Sequence, residues 1–242
     1  MKTLGTFARQ FSFRLMMTLA LGTAVVSCDS ILDEEEIDCS ITYKVDFKYD
    51  YNMSYVNTLH KENDCLTVYI YDSEGNLVTT CTESGAVLAD EDYRMDVSLP
   101  QGSYNIVAYG GMLCEKSSFA FRDASVKSAP AMMMDMQVEL KHDDMSSDGQ
   151  LHNQFHGMKG LEMNKAFVED TVYMVKNTNN IRIILQQVQG NPLASSDFIF
   201  KITDDNTLMA YDNDVIPNGT ITYHPWTQGE KVIGASDQTD TP

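Results

Sequence analysis

Positive charge is scarce in this sequence. Lys and Arg total 17 against 35 Asp and Glu, giving a formal net charge of −18 at pH 7 over 242 residues. Residues 1–27 hold Lys2, Arg9 and Arg14 and no acid, so a chain lacking them carries −21. Affinity for nucleic acid comes from Lys and Arg displacing counterions from phosphates, so nucleic acid is excluded as a partner. Long apolar runs are also missing. The longest, Leu15–Val26, has 12 residues, well short of the roughly 20 that span a bilayer. Catalytic signatures are absent too: there is no G-x-S-x-G, H-E-x-x-H, P-loop or G-x-G-x-x-G. No enzyme and no cofactor is therefore expected. Helical periodicity is rare, and only Asn52–Glu62 reads as weakly helical.

What is present at the start is an export signal. Lys2, Arg9 and Arg14 form a positive region, Leu15–Val26 an apolar core, and Val25-Val26-Ser27-Cys28 resembles the lipobox of bacterial lipoprotein precursors. Small residues before the cut suit a signal peptidase, and the Cys28 thiol accepts a diacylglycerol through a thioether. Cleavage between Ser27 and Cys28 is expected, followed by acylation of the freed amine. At about 0.8 kcal/mol per buried methylene, several chains on Cys28 make a lasting anchor in a lipid bilayer. The next stretch, residues 28–40, carries six acids between Asp29 and Asp38, a density that cannot collapse into a core. It reads as a solvated tether and resembles the acid-rich signal that carries some lipoproteins to the cell surface.

Beyond the tether, side chains alternate with period two. Ile41, Tyr43, Val45, Phe47 and Tyr49 interleave with Thr42, Lys44, Asp46 and Lys48 as a half-buried strand should. Leu66–Tyr71 and Leu77–Thr80 flank the turn residues 72–76, and Tyr93–Leu99 and Tyr104–Tyr109 flank Pro100-Gln101-Gly102-Ser103. Met136–Leu140 is expected to close this first sheet system. The polar, irregular residues 141–165 then read as an interdomain linker. Val172–Lys176, Ile181–Val188, Phe198–Thr203 and Ile221–His224 are expected strands of a second domain, and residues 229–242 a polar tail. Short strands with turns between them and no strand–helix alternation predict an all-β chain of two antiparallel sandwiches, at 41–140 and 166–228.

Cys39, Cys65, Cys81 and Cys114 form an even set with three pairings open to it in an oxidising compartment. Cys65 and Cys81 flank one expected hairpin, which makes them the candidate disulfide. Other clusters have ordinary readings that outweigh functional ones. His152 and His156 stand at metal-ligand spacing, with His142 nearby, but no general-base Glu lies between them and Gly157 follows at once, so no metal site is expected. Met132-Met133-Met134 and Met136 suit packing better than copper binding. Asp64, Asp72, Asp204, Asp205, Asp212 and Asp214 lie in turn chemistry without calcium-loop spacing. Asp170-Thr171-Val172 resembles the acceptor of a periplasmic O-glycosylation system, on three residues alone. Tyr211, Tyr223 and Trp226 are the clustered aromatics from which a glycan platform would be built.

Several ordered segments resemble the FimB-type fimbrial anchor lipoproteins, the base subunits of type V fimbriae. They are Phe47-Lys48-Tyr49-Asp50-Tyr51-Asn52-Met53, Leu66–Asp72 with Gly75, and Leu99-Pro100-Gln101-Gly102-Ser103-Tyr104 running on to Ala108-Tyr109-Gly110-Gly111. Phe155-His156-Gly157 follows, then the most specific block, Val175-Lys176-Asn177-Thr178-Asn179-Asn180-Ile181-Arg182 with Leu185-Gln186. Phe198–Asp204 and Asp212-Asn213 extend the match to about Pro225. The resemblance implies transthyretin-like sandwiches, a lipid anchor in the cell outer membrane displayed at the surface, and fimbrial shaft subunits as partners. It also implies that subunits join by strand exchange, an extended segment completing a neighbour's open sheet. Where family members continue for further strands this match stops, so the second sandwich is expected to be incomplete. The competing expectation is a lipid-tethered surface module that binds a glycan or a host protein.

Overall fold

A computed structural model describes residues 41–112, 114–123, 130–164, 167–187 and 193–230. The expected signal peptide 1–27, Cys28, the tether with Cys39, and the tail beyond Glu230 lie outside the described residues. Those that are described fall within one compact unit. Apart from one short helix, α1 (Leu59–Glu62), and brief 3-10 turns, its regular structure is all β.

Strand β1 (Ile41–Lys48) is the middle of a three-stranded sheet. It pairs antiparallel with β4 (Met95–Leu99) and parallel with β10 (Phe167–Tyr173). Its alternation behaves as expected, with Tyr43, Val45 and Phe47 buried. Asp46, on the other face, is buried as well, and its carboxylate is met by Lys48 at 3.1 Å and Arg94 at 3.2 Å. Buried charge persists only with such partners.

The second sheet decides the architecture. It has five strands, wholly antiparallel, in the order β11 (Val175–Lys176), β9 (Phe155–Met163), β5 (Gly102–Gly110), β2 (Cys65–Asp72) and β3 (Leu77–Ser84). Strand β2 is buried from Cys65 to Tyr71 without a break. Leu66, Val68 and Ile70 join a first core with Tyr43, Val45, Phe47, Val97 and Leu99. Tyr69 and Tyr71 point the other way into a second core. Strand β5 divides likewise, Ile106 and Ala108 to the first core and Val107 and Tyr109 to the second. Because successive side chains on a strand point to opposite faces, the continuous apolar run follows from burial on both sides.

The second core is closed by β6 (Phe119–Phe121), β7 (Gln137–Leu140), β13 (Leu208–Ala210) and β14 (Val215–Ile216), in the order β14-β13-β7-β6. Beside it, β12 (Ile202–Asp204), β15 (Ile221–Tyr223) and β8 (Ser146–Ser147) make a small sheet, with Ile221 reaching the second core.

This arrangement corrects the expected division of the chain. Residues 141–165 are not a linker throughout, since Phe155–Met163 is a central strand pairing along the whole of β5, from Gly102↔Met163 to Gly110↔Phe155. Its Gly157, Gly160, Lys159 and Glu162 hid it from a hydrophobicity reading. Nor do the boundaries at 140 and 166 separate domains. β6 and β7 pair with later strands in the second core's sheet, while β10 returns to β1 in the first. The weak helix at Asn52–Glu62 shrinks to α1. The expected strand Ile181–Val188 is absent over the described residues 181–187, which are exposed and carry no regular structure. Phe198–Thr203 contributes only the start of β12.

Candidate functional site

Parts of five of the sequence blocks singled out above meet at one junction, where β9 begins and β11 lies beside it. Strand β5 ends at Gly110, and Gly111 follows it. Gly111 has a φ of +73°, and its N–H donates to the Cys65 carbonyl at 3.0 Å. A Cβ here would collide with the backbone carbonyl of Asn153, so the two chain segments touch where only glycine fits. The Asn153 side chain donates to the Glu62 carbonyl at 3.0 Å. The N–H of Gln154 donates to Thr178 Oγ1 at 3.2 Å, and the N–H of Asn177 donates to the Gln154 carbonyl at 2.8 Å. Phe155 stands opposite Lys176 and His156 opposite Val175.

Charge and aromatic contacts fasten this crossing. Lys176 Nζ donates to Glu62 Oε2 at 2.7 Å and lies 5.8 Å from the Phe155 ring centroid. Phe155 and Tyr49 meet in an edge-to-face contact, ring centroids 5.1 Å apart. Burial pushes the Glu62 carboxyl up, but hydrogen bonds from Lys176 and Thr58 outweigh it and hold the group below the usual carboxylate range. Asn177 and Asn213 pair amide to amide, at 2.7 and 2.9 Å, and Asn213 takes a φ of +72° to do so. Asn is among the few residues that tolerate this conformation. Residues 175–178 are thus a buckle between the two cores, Lys176 against Phe155 of the first and Asn177 against Met209 of the second. Chemically it is a fastening, built of amides, one ion pair and ring contacts.

His156 is the titratable member of the buckle. It is buried against the Tyr109 ring, 5.1 Å between centroids, and its Nε2–H donates to the Tyr211 carbonyl at 2.9 Å. A carbonyl can only accept, which fixes the proton on Nε2. Burial lowers its pKa below 6.5, against opposing influences from Tyr211 and Asp212. The unfolded chain therefore takes up a proton first as pH falls. The stabilisation His156 gives is complete above about pH 6.5 and declines below it, down to the folded-state value. Unfolding free energy measured from pH 7.5 to 5 should fall more steeply for the native protein than for His156→Gln. Parallel slopes would remove His156 from this account.

The other sequence candidates stand apart from one another. His142 Nδ1 accepts from the Met145 N–H at 3.3 Å and its Nε2 is 3.7 Å from Glu139, while His152 is exposed. Among the described residues one group of three metal-type ligands occurs, Asp64 with Cys65 and Cys114, and its two sulfurs are bonded to each other. That bond replaces the expected Cys65–Cys81 pair. The hairpin register sets Cys81 opposite Val68 and Cys65 opposite Ser84, so the two lie about 10 Å apart along the ladder. Disulfides need Cα atoms within about 7 Å, and those of Cys65 and Cys114 are 6.0 Å apart. Cys81 is free and half-buried.

Asp72, Asp204 and Asp212 accept hydrogen bonds from neighbouring backbone N–H groups, and Asp205 accepts from the distant Asn218 N–H at 2.8 Å. Asp170 pairs with Lys159, and Val172 of its tripeptide is buried in the first core. Met136 is in the second core and Met133 packs on it. Tyr211 and Tyr223 are partly buried against the same core, leaving Trp226 exposed. What the sequence reading missed is the loop Asp50–Val56, described below, whose alternating Tyr51, Met53 and Tyr55 was the available signal.

Residues 35–241 match the family described as fimbrillin-A associated anchor proteins Mfa1 and Mfa2. The chain belongs to that family. The FimB-type resemblance read from the sequence points to the same class. A candidate adhesin of Bacteroides thetaiotaomicron shares 44% identity and superposes with a TM-score of 0.72 over 78% of this chain and 64% of its own. One from Bacteroides ovatus, 24% identical, superposes at 0.68 over 87% and 68%. The fimbrial anchor protein Mfa2 of Porphyromonas gingivalis, 15% identical, superposes at 0.58 over 82% and 70%, which shows a shared fold. This chain thus spans under two thirds of the first of these structures. None of the curated proteins compared with it matches.

Proposed function

We propose that this anchor-family protein is held in the outer membrane, facing outward, by lipid on Cys28, and secures fimbriae by pairing strands with a shaft subunit. The observation that carries the reading is the run after the buckle. Ile181, Ile183, Ile184 and Leu185 are 67, 53, 67 and 48% exposed, and no strand pairs with them among the described residues. Close by in sequence, β12 is an edge strand, with Ile202 and the preceding Ile199 also exposed. Exposed apolar chain and an open sheet edge are each forms that accept an added strand, backbone bonds giving affinity and alternate side chains giving register. The family supports a structural role rather than an enzymatic one.

Two strains test this. Cys28→Ala should release the protein from the membrane fraction and shed fimbriae into the medium. Ile183→Asp with Leu185→Asp should leave the protein membrane-bound yet still shed fimbriae. Fimbriae retained on both strains would favour the competing reading, a tethered module for glycan or host protein.

A further inference from the structure

Between β1 and α1 the chain builds a loop that exposes what proteins ordinarily bury. Tyr51, Met53 and Tyr55 are 84, 95 and 84% exposed, and Val56 is exposed as well. The loop is nonetheless held in one shape from within. Asn52 Nδ2 donates to the carbonyls of Tyr49 at 2.9 Å and Val56 at 2.7 Å and to Thr58 Oγ1 at 3.2 Å, while its Oδ1 accepts from the Ser54 N–H at 2.9 Å. Thr58 N–H donates to the Tyr49 carbonyl at 3.0 Å, and Asn57 Oδ1 accepts from the N–H groups of Tyr49 and Leu59. Tyr55 adopts a φ of +52°, a conformation costly for a bulky residue. Alternation at positions 51, 53 and 55 sends three large side chains outward around an inward Asn52.

We infer that residues 50–56 are a preformed apolar peg that seats in a pocket rimmed with Lys and Arg on a partner protein. The residue types favour a protein, because Tyr and Met are enriched at the centres of protein interfaces. Preorganisation favours binding, because the ordering cost is met within the folded chain. Charge specifies the rim. Asn57 and His60, at the base of the peg, share a cleft with Asp90 and Glu91, and Asp50 and Asp92 are exposed nearby in sequence. The same charge argues against a second copy of this chain, which at −18 repels itself, and against an anionic bilayer. Strand direction agrees. β1 starts at Ile41, where the tether joins, and the peg follows its far end, roughly 25 Å on at 3.3 Å per residue. The inference rests on a different surface from the strand-pairing run, so either can fail alone.

The test places a photo-crosslinking phenylalanine analogue at position 53 of the full chain in producing cells, with position 78 on β3 as the exposed control. Support is a crosslink from position 53 alone, to a protein peptide with Lys or Arg beside apolar residues. Its yield should drop at least about tenfold with Tyr51→Ser and Tyr55→Ser together. It should also drop with Asn52→Ala, which leaves the apolar side chains in place, and with Asp90→Lys, Glu91→Lys and Asp92→Lys combined. These serines replace exposed side chains, so folding is not at stake, and an unchanged melting temperature verifies it. Crosslinks to polysaccharide, to lipid, to this chain itself, or equally from position 78 would overturn the proposal, as would no crosslink.

Discussion

Gly111→Ala should cost this protein about 3–4 kcal/mol, among the larger effects a single methyl can have. Two penalties combine. At a φ of +73° an L-residue loses roughly 1–2 kcal/mol to its own backbone. The added Cβ also meets the carbonyl oxygen of Asn153, which is backbone and cannot rotate aside. Moving Asn153 would strain its bond to the Glu62 carbonyl and, through Gln154, the bonds to Thr178 and Asn177. For a chain of this size about 3–4 kcal/mol corresponds to a fall in melting temperature of about 10 °C. Gly85→Ala is the matched control, with a φ of +79° and no neighbour within 4 Å of its Cβ. It should lose only the backbone share, about 1 kcal/mol. Equal losses in the two variants, measured by thermal or denaturant unfolding, would mean that the buckle is not closed as described.

The glycine pair illustrates how far residues alone led. Its place at the end of a strand was legible, because the apolar run Tyr104–Tyr109 is stopped by the glycines. Its purpose was not, because Asn153 is 42 positions away in sequence, inside a stretch that reads as a polar linker. Strands β1, β2 and β5 were legible because their faces carry a clean apolar signal, one-sided in β1 and two-sided in β2 and β5. Strand β9 was not. Three of its positions carry charge or an amphipathic ring that pairs locally: His156 with Tyr211, Lys159 with Asp170 and Glu162 with Ser103. Polarity satisfied inside a sheet looks, in one dimension, like polarity exposed in a loop. The opposite error occurred at the expected strand Ile181–Val188, where alternation promised a buried face but the described residues, 181–187, are exposed. Hydrophobic period reports the capacity to pair, and a partner must still be supplied. The all-β sandwich class was legible, but the boundaries at 140 and 166 were misplaced for a related reason. A central sheet with apolar side chains on both faces lets two cores share β2 and β5, and no composition shift marks that sharing.

Cysteine pairing offers the second large effect. Cys114→Ser should destabilise the oxidised protein by about 4 kcal/mol, the loop-closure value for a bridge spanning 49 residues. The bridged loop runs from the start of β2 to just past β5, so it ties together strands of the central sheet. In the reduced or variant protein those strands are joined in the unfolded state only through the chain, and the entropy of unfolding rises accordingly. Cys65→Ser should match Cys114→Ser, since either removes the same bond. Cys81→Ser should cost under about 1 kcal/mol, because its side chain only flanks the first core and makes no bond. Burial pushes the Cys81 thiol pKa up, so it should alkylate slowly at neutral pH and quickly once the protein is unfolded. The ordering of the three serine variants, together with non-reduced peptide mapping, separates the two pairings. A Cys65 peptide linked to Cys81, with Cys81→Ser as the damaging change, would require β3 to slide three residues along β2. That slide would turn every side chain of β3 to the opposite face, because a shift by an odd number of residues exchanges the two sides of a strand.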